Sequence, residues 1–172
     1  ARAPRLDNAY AQWPVCNPSR ASFLTGRYPT QTGVMNNNDY FRRKHPDFIT
    51  LPQYFKQHGY ATLRSGKIFH GGIDDQVSWT EGGEPIDSNI TERGNPNFRR
   101  STPLVPADQG RRASSSDRII VLEGEGETHG DYKTATRAIE YLNRHKDKPF
   151  FLAVGFVKPH SPPTAPEKFS DL

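Results

Sequence analysis

The sequence predicts an α/β fold built on a mostly parallel sheet flanked by helices. Three observations point there. Segments of helical period alternate with short apolar runs along the 172 residues. The run at 150–157, FFLAVGFV, is nearly continuous in apolar residues, as a strand covered on both faces requires. Candidate reactive residues follow directly on the predicted strands, at the carboxyl ends where open sheets of this class place their ligands.

Taken in order, residues 6–15 alternate and carry aromatic side chains, which fits a strand or an extended lead into Cys16. Asn17 as N-cap, Pro18 in the first turn and Gly26 as a left-handed stop define a short helix over 18–25. Residues 30–47 hold Met35, three consecutive asparagines and Tyr40-Phe41 with neither period, and read mainly as loop. Thr50 caps a predicted helix over 51–58, where Leu51, Tyr54, Phe55 and His58 fall at helical spacing before Gly59. Residues 60–64, YATLR, read as a short buried strand delivering Ser65 to His70 at its carboxyl end.

From about 71 to 116 apolar residues become too sparse for regular core elements, a long excursion that is either functional or disordered. Within it, Arg99-Arg100 and Arg111-Arg112 are either solvated charge or contacts for an acidic substrate. Asp131 is expected to cap an amphipathic helix in which Tyr132, Ala135, Ala138, Ile139 and Leu142 share one face, with His145 near its end. The apolar strand then leads into Lys158-Pro159-His160. No repeat and no boundary divides the chain into two independent domains.

Composition narrows the function. Hydrophobic residues make up 33%, with 15 prolines, 14 glycines and a mean hydropathy of −0.82, a loop-rich balance without a membrane-spanning run. The net charge of +4 suits an acidic ligand, and equally suits a basic piece of a more balanced protein. Scattered basic residues and the lack of any nucleic-acid-binding motif argue against nucleic acid. The chain starts at Ala1 without methionine or a hydrophobic leader and stops after a loop, so it reads as a piece of a larger protein, marginally stable alone.

Cys16, the only cysteine, cannot form an intrachain disulfide. At a helix start beside Arg20 it meets unpaired N–H groups and the positive end of the macrodipole, which favour a thiolate. A lone cysteine is more commonly an inert buried residue. The spelling of the segment outweighs that: Cys16-Asn17-Pro18-Ser19-Arg20, followed by Leu24-Thr25-Gly26-Arg27, resembles the signature of the type I, formylglycine-dependent sulfatases. Gly66-Lys67-Ile68-Phe69-His70 and the run from Phe151 to His160 resemble the iduronate-sulfatase-like branch, where histidine stands three residues after the lysine.

The resemblance implies an alkaline-phosphatase-like fold, present in part, with residues 1–172 lying inside an N-terminal catalytic domain. It implies that Cys16 is oxidised by a formylglycine-generating maturation enzyme to an aldehyde whose hydrate is the nucleophile. A sulfated hemiacetal can then collapse by eliminating sulfate, where a sulfated serine would need a second attack by water. It assigns Arg20 to support that residue, Lys67 and His160 to hold the sulfate oxygens, and His70 to orient the hydrate or exchange its proton. Lys158 stands between a site role and solvent.

It further implies Ca2+ bound in part by the modified Cys16, with the remaining ligands outside this chain, which alone is then expected to be inactive or nearly so. Asp74-Asp75 do not supply them, because the family's acidic pair precedes the cysteine. The expected substrate is a sulfated small molecule or glycan, and the expected compartment is periplasmic, secreted or lysosomal. Two other functions remain in view: a phosphate or phosphonate ester hydrolase of the same superfamily, and a non-catalytic module that binds sulfated glycans.

Overall fold

The computed structural model describes residues 4–86 and 119–169. Arg99-Arg100 and Arg111-Arg112 lie outside those residues. The first helix, α1 (Cys16–Thr25), begins two residues before the predicted Pro18, with Val15 as an N-cap that makes no side-chain bond. Asn17 therefore does not cap the helix. Its buried amide instead donates to the carbonyls of Asn36 (2.9 Å) and Asp39 (2.7 Å), while its backbone N–H donates to Asn37 Oδ1. Gly26 ends the helix at φ 66, as its lack of a Cβ permits. Upstream, residues 6–15 form no strand among the described residues, and Leu6 and Tyr10 are exposed.

The predicted loop over 30–47 contains two single-turn helices, α2 (Pro29–Thr32) and α3 (Phe41–Lys44). Helix α4 (Leu51–Gln57) follows the predicted Thr50 cap, and Gln53 completes a reciprocal capping box. It leads into β1 (Ala61–Gly66), which pairs in parallel with β3 (Phe150–Gly155) from Ala61 opposite Phe150 to Gly66 opposite Gly155. A second parallel pair, β2 (Ile120–Leu122) with β4 (Thr164–Pro166), lies in segments where no strand was expected. Both ladders are parallel, in line with the expected class.

The core joins α1 to the far end of this sheet. Ala21, Leu24, Val34, Phe41, Ile68, Phe69 and Trp79 are buried together, with Phe151 and Ala153 of β3 packed against them. Phe41 stacks on Phe69, whose ring meets Trp79 edge-on. Burying each such side chain contributes about 1.5–3 kcal/mol. Trp79 and Ile73 come from the start of the predicted excursion, where Ile73, Asp74, Asp75, Ser78 and Trp79 are buried rather than looped out. Few apolar residues suffice there because buried ion pairs hold the rest. Asp75 forms a two-oxygen pair with Arg42, and Asp74 faces Arg64 at 3.4 Å while accepting from Trp79 Nε1.

Helix α5 (Gly130–His145) packs on β1 and β3 with Thr134, Ala138 and Tyr141 buried, so that of the predicted face only Ala138 is buried. Tyr132, Ile139 and Leu142 are exposed. The physical reason is close approach: Ser65 Oγ donates to Thr134 O at 2.8 Å, and a Cβ on Gly66 would meet the Thr134 side chain at 2.6 Å. Asp131 is not the N-cap either; His129 is, its Nδ1 accepting the Asp131 N–H. Finally, β3 is not covered on both faces: Val154 is exposed, as are Phe156 and Val157 beyond it. Among the described residues only β1 pairs with β3.

Candidate active site

The parallel ladder ends at Gly66 and Gly155, and the chain leaves both strands on the same side as the start of α1. This converts residues far apart in sequence into neighbours. Lys67, the first residue after β1, places Nζ 4.0 Å from Cys16 Sγ. Its backbone N–H donates to Gly155 O at 2.6 Å, so the end of β3 fixes where Lys67 starts.

Arg20 lies one turn into α1 from Cys16. Its Nη1 donates to two consecutive carbonyls, Lys67 O at 2.6 Å and Ile68 O at 2.7 Å. One guanidinium thus ties the Cys16 helix to the Lys67 segment, and partial burial pulls its pKa down. Hydrogen bonds from an ionised donor are each worth about 1.5–3 kcal/mol when well placed.

His70 is half-buried, and its Nδ1 has no hydrogen-bond partner among the described residues. Burial lowers its pKa below the usual 6.5, and the charges of Lys67, Arg20 and His160 lower it further. The ring is therefore held in the neutral form at neutral pH. His160, predicted beside it, is exposed, and its Nδ1 lies 2.8 Å from Ser161 O. It is near enough for its charge to act on His70. Lys158 does not face solvent freely: its ammonium donates to the carbonyls of Pro162 (2.6 Å) and His160 (3.1 Å), and so braces the turn.

Cys16, Arg20, Lys67, His70 and His160 are thus gathered around the carboxyl ends of β1 and β3. A cavity of about 360 Å3 is walled by Lys67, His70, Arg64, Glu84, Asp131 and Val157 among others. A separate cleft of about 280 Å3 opens at Cys16 between Trp13, Arg20 and Phe23. The residues that face Cys16 are cationic or neutral. They suit a tetrahedral anion and do not by themselves suit calcium, which needs several oxygen ligands. Among the described residues no three His, Cys, Asp or Glu side chains cluster as a metal site. Asp74 and Asp75 pair with Arg64 and Arg42.

Sequence reasoning missed two residues here. Asp131 accepts the N–H groups of Val157 (2.8 Å) and Lys158 (2.9 Å), and Asn17 latches the loop at 36–39 beside Cys16. Neither carries a local signal, because an Asp or Asn near a helix start reads first as a cap.

Comparison with known proteins agrees with this geometry. The family model described as Sulfatase matches residues 1–172. Human iduronate 2-sulfatase is 38% identical over 99% of this chain and 33% of its own length. Choline-sulfatase of Rhizobium meliloti is 28% identical over 99% of this chain and 34% of its own length. Canine arylsulfatase K is 28% identical over 91% of this chain and 26% of its own length. The chain spans about a third of the length of the curated relatives it matches. With the family model covering every residue and parallel strands delivering the site, the chain belongs to the sulfatase family and carries part of its alkaline-phosphatase-like fold.

Proposed function

We propose that the protein containing this chain hydrolyses an organic sulfate ester, borne by a carbohydrate, through a formylglycine made from Cys16 by a maturation enzyme. The observation that carries the reading is the placement of Cys16 Sγ at the first turn of α1, 4.0 Å from Lys67 Nζ. The identity with iduronate 2-sulfatase supports the carbohydrate substrate, and the same likeness supports an exported enzyme. No helix among the described residues is long and apolar enough to cross a membrane.

When formed, the formylglycine hydrate supplies one hydroxyl to take up the sulfuryl group and a second to drive its release. The other residues act electrostatically and by proton exchange. Lys67 and His160 hold the sulfate oxygens and offset charge that builds during transfer. His70, neutral by burial, exchanges a proton with the hydrate. Arg20 holds the Lys67 segment in reach through its two carbonyl contacts and keeps a permanent positive charge at the site. Among the described residues no acidic cluster stands beside Cys16 to complete a calcium shell.

The test is to produce the complete protein in cells carrying a maturation enzyme and weigh the tryptic peptide from Leu6 to Arg20, with an aldehyde-reactive probe as a check. An aldehyde at Cys16, with turnover of sulfate esters above phosphate esters, supports the proposal. An unmodified thiol under those conditions, with glycan binding and no hydrolysis, replaces it with a binding module. Cys16→Ala should abolish turnover and leave the fold intact.

A further inference from the structure

We infer that Asp131 is a positioning residue that sets His160 in the sulfate-binding site. The inference rests on the reading of His160 as a sulfate ligand. Beyond Gly155 the ladder with β1 has ended, and the N–H groups of Val157 and Lys158 have no strand partner. Asp131 takes both, Oδ1 accepting from Val157 at 2.8 Å and Oδ2 from Lys158 at 2.9 Å. One oxygen for each N–H fixes the rotation of that peptide as well as its position, and bonds to an ionised acceptor are the stronger kind.

From that clamp the contacts run unbroken to His160. The His160 N–H donates to Val157 O at 3.1 Å, closing a turn over the clamped peptide. Lys158 Nζ then braces His160 O from inside the turn. Asp131 is itself anchored: its N–H donates to His129 Nδ1, and α5 is pinned to β1 through Ser65 and Thr134. It also walls the same cavity as Lys67 and His70. The clamp therefore references His160 to the strand that carries the other two site residues.

Sign separates this role from a simple charge effect. A carboxylate beside an anion site repels the anion, so removing its charge should tighten sulfate binding. If Asp131 positions His160, removing it should weaken sulfate binding. The experiment uses the complete, matured protein and inorganic sulfate as the probe, titrated calorimetrically, with the thermal midpoint measured in parallel. The variants are Asp131→Asn, Asp131→Ala, His160→Ala and the double variant of Asp131→Asn with His160→Ala.

Asp131→Asn keeps the shape but can accept only one of the two N–H groups. It should weaken sulfate binding about ten- to a hundredfold, the value of one hydrogen bond to a charged group. In the His160→Ala background the same change should weaken it no further. Unchanged or tighter binding in Asp131→Asn, or losses that add in the double variant, overturn the inference while leaving His160 a ligand. Unchanged binding in His160→Ala overturns the ligand reading itself. Asp131→Ala should match or exceed the Asn loss; binding retained in a folded Ala variant also overturns the inference.

Discussion

Gly155→Ala should disable the enzyme through a displacement whose size the structure fixes. Gly155 closes β3, opposite Gly66, and its carbonyl accepts the Lys67 N–H. A Cβ at that position would lie 2.0 Å from Lys67 O and 2.5 Å from Lys67 C. Real Cβ contacts do not fall under 3.0 Å, so the Lys67 carbonyl must retreat by about 1 Å, the difference of the two distances. The atoms in the way are backbone, which cannot swing aside as a side-chain tip can. The same carbonyl is held by Arg20 at 2.6 Å, so the retreat either breaks that bond or carries the lysine ammonium away from Cys16. Misplacing a catalytic group by about 1 Å costs about 10²-fold in rate, or about 2.7 kcal/mol of barrier.

The assay is steady-state turnover of a sulfate ester by the complete, matured protein, with the thermal midpoint recorded for each variant. Gly26→Ala is the control. A Cβ there meets nothing within 4 Å, but the φ of 66 imposes strain of about 1–2 kcal/mol. It should lower stability and spare turnover, while Gly155→Ala lowers turnover by far more than its stability loss explains. Parent-like turnover in folded Gly155→Ala would refute the geometry that ties the β3 end to Lys67.

Other expectations follow from the same contacts. Arg20→Lys keeps the charge but ends one atom short of Nη1, the nitrogen that donates to both carbonyls, and should lower kcat about tenfold or more; parent-like kcat would mean that charge alone suffices. Asp75→Ala leaves the Arg42 charge without its carboxylate, in a pair whose side chains are only 12% and 1% exposed, and should cost about 3–5 kcal/mol in denaturant unfolding of the complete protein. A loss nearer that of a surface pair, about 0–1 kcal/mol, would refute the buried role. His70 has a lowered pKa when folded, so the unfolded chain binds its proton first as pH falls below 6.5. Its contribution to stability is present above 6.5 and is lost as pH falls toward the folded value. NMR titration assigned with His70→Asn should place its midpoint below 6.5, and a midpoint at or above that value would contradict the burial described.

The sequence made local punctuation and the order of the main elements readable. Gly26, Thr50 and the short runs around β1 and β3 act through nearby backbone, so their signals survive in one dimension. That Lys67 and His70 meet the end of β3 was readable because parallel strands bring their carboxyl ends to one edge, whereas Cys16 arrives on α1 with no strand before it. What failed depended on partners. Tyr132, Ile139 and Leu142 form the more apolar stripe of α5, yet the helix meets the sheet end at Gly66 through Thr134, which Ser65 bonds and no pattern of apolar residues marks. Asp74 and Asp75 read as loop polarity because their guanidinium partners are distant in sequence. Asp131 read as a cap because its targets, two backbone N–H groups, have no residue-type signature at all.

The outer edge of β3 has a consequence for biosynthesis. Among the described residues that edge pairs with nothing, and Val154, Phe156 and Val157 stand exposed beside it. An open, apolar strand edge is a template for another chain. A truncated product that folded this far would therefore be adhesive rather than inert, recruiting copies of itself into insoluble assemblies. During translation the same edge would be a reason for chaperone engagement until further chain covered it.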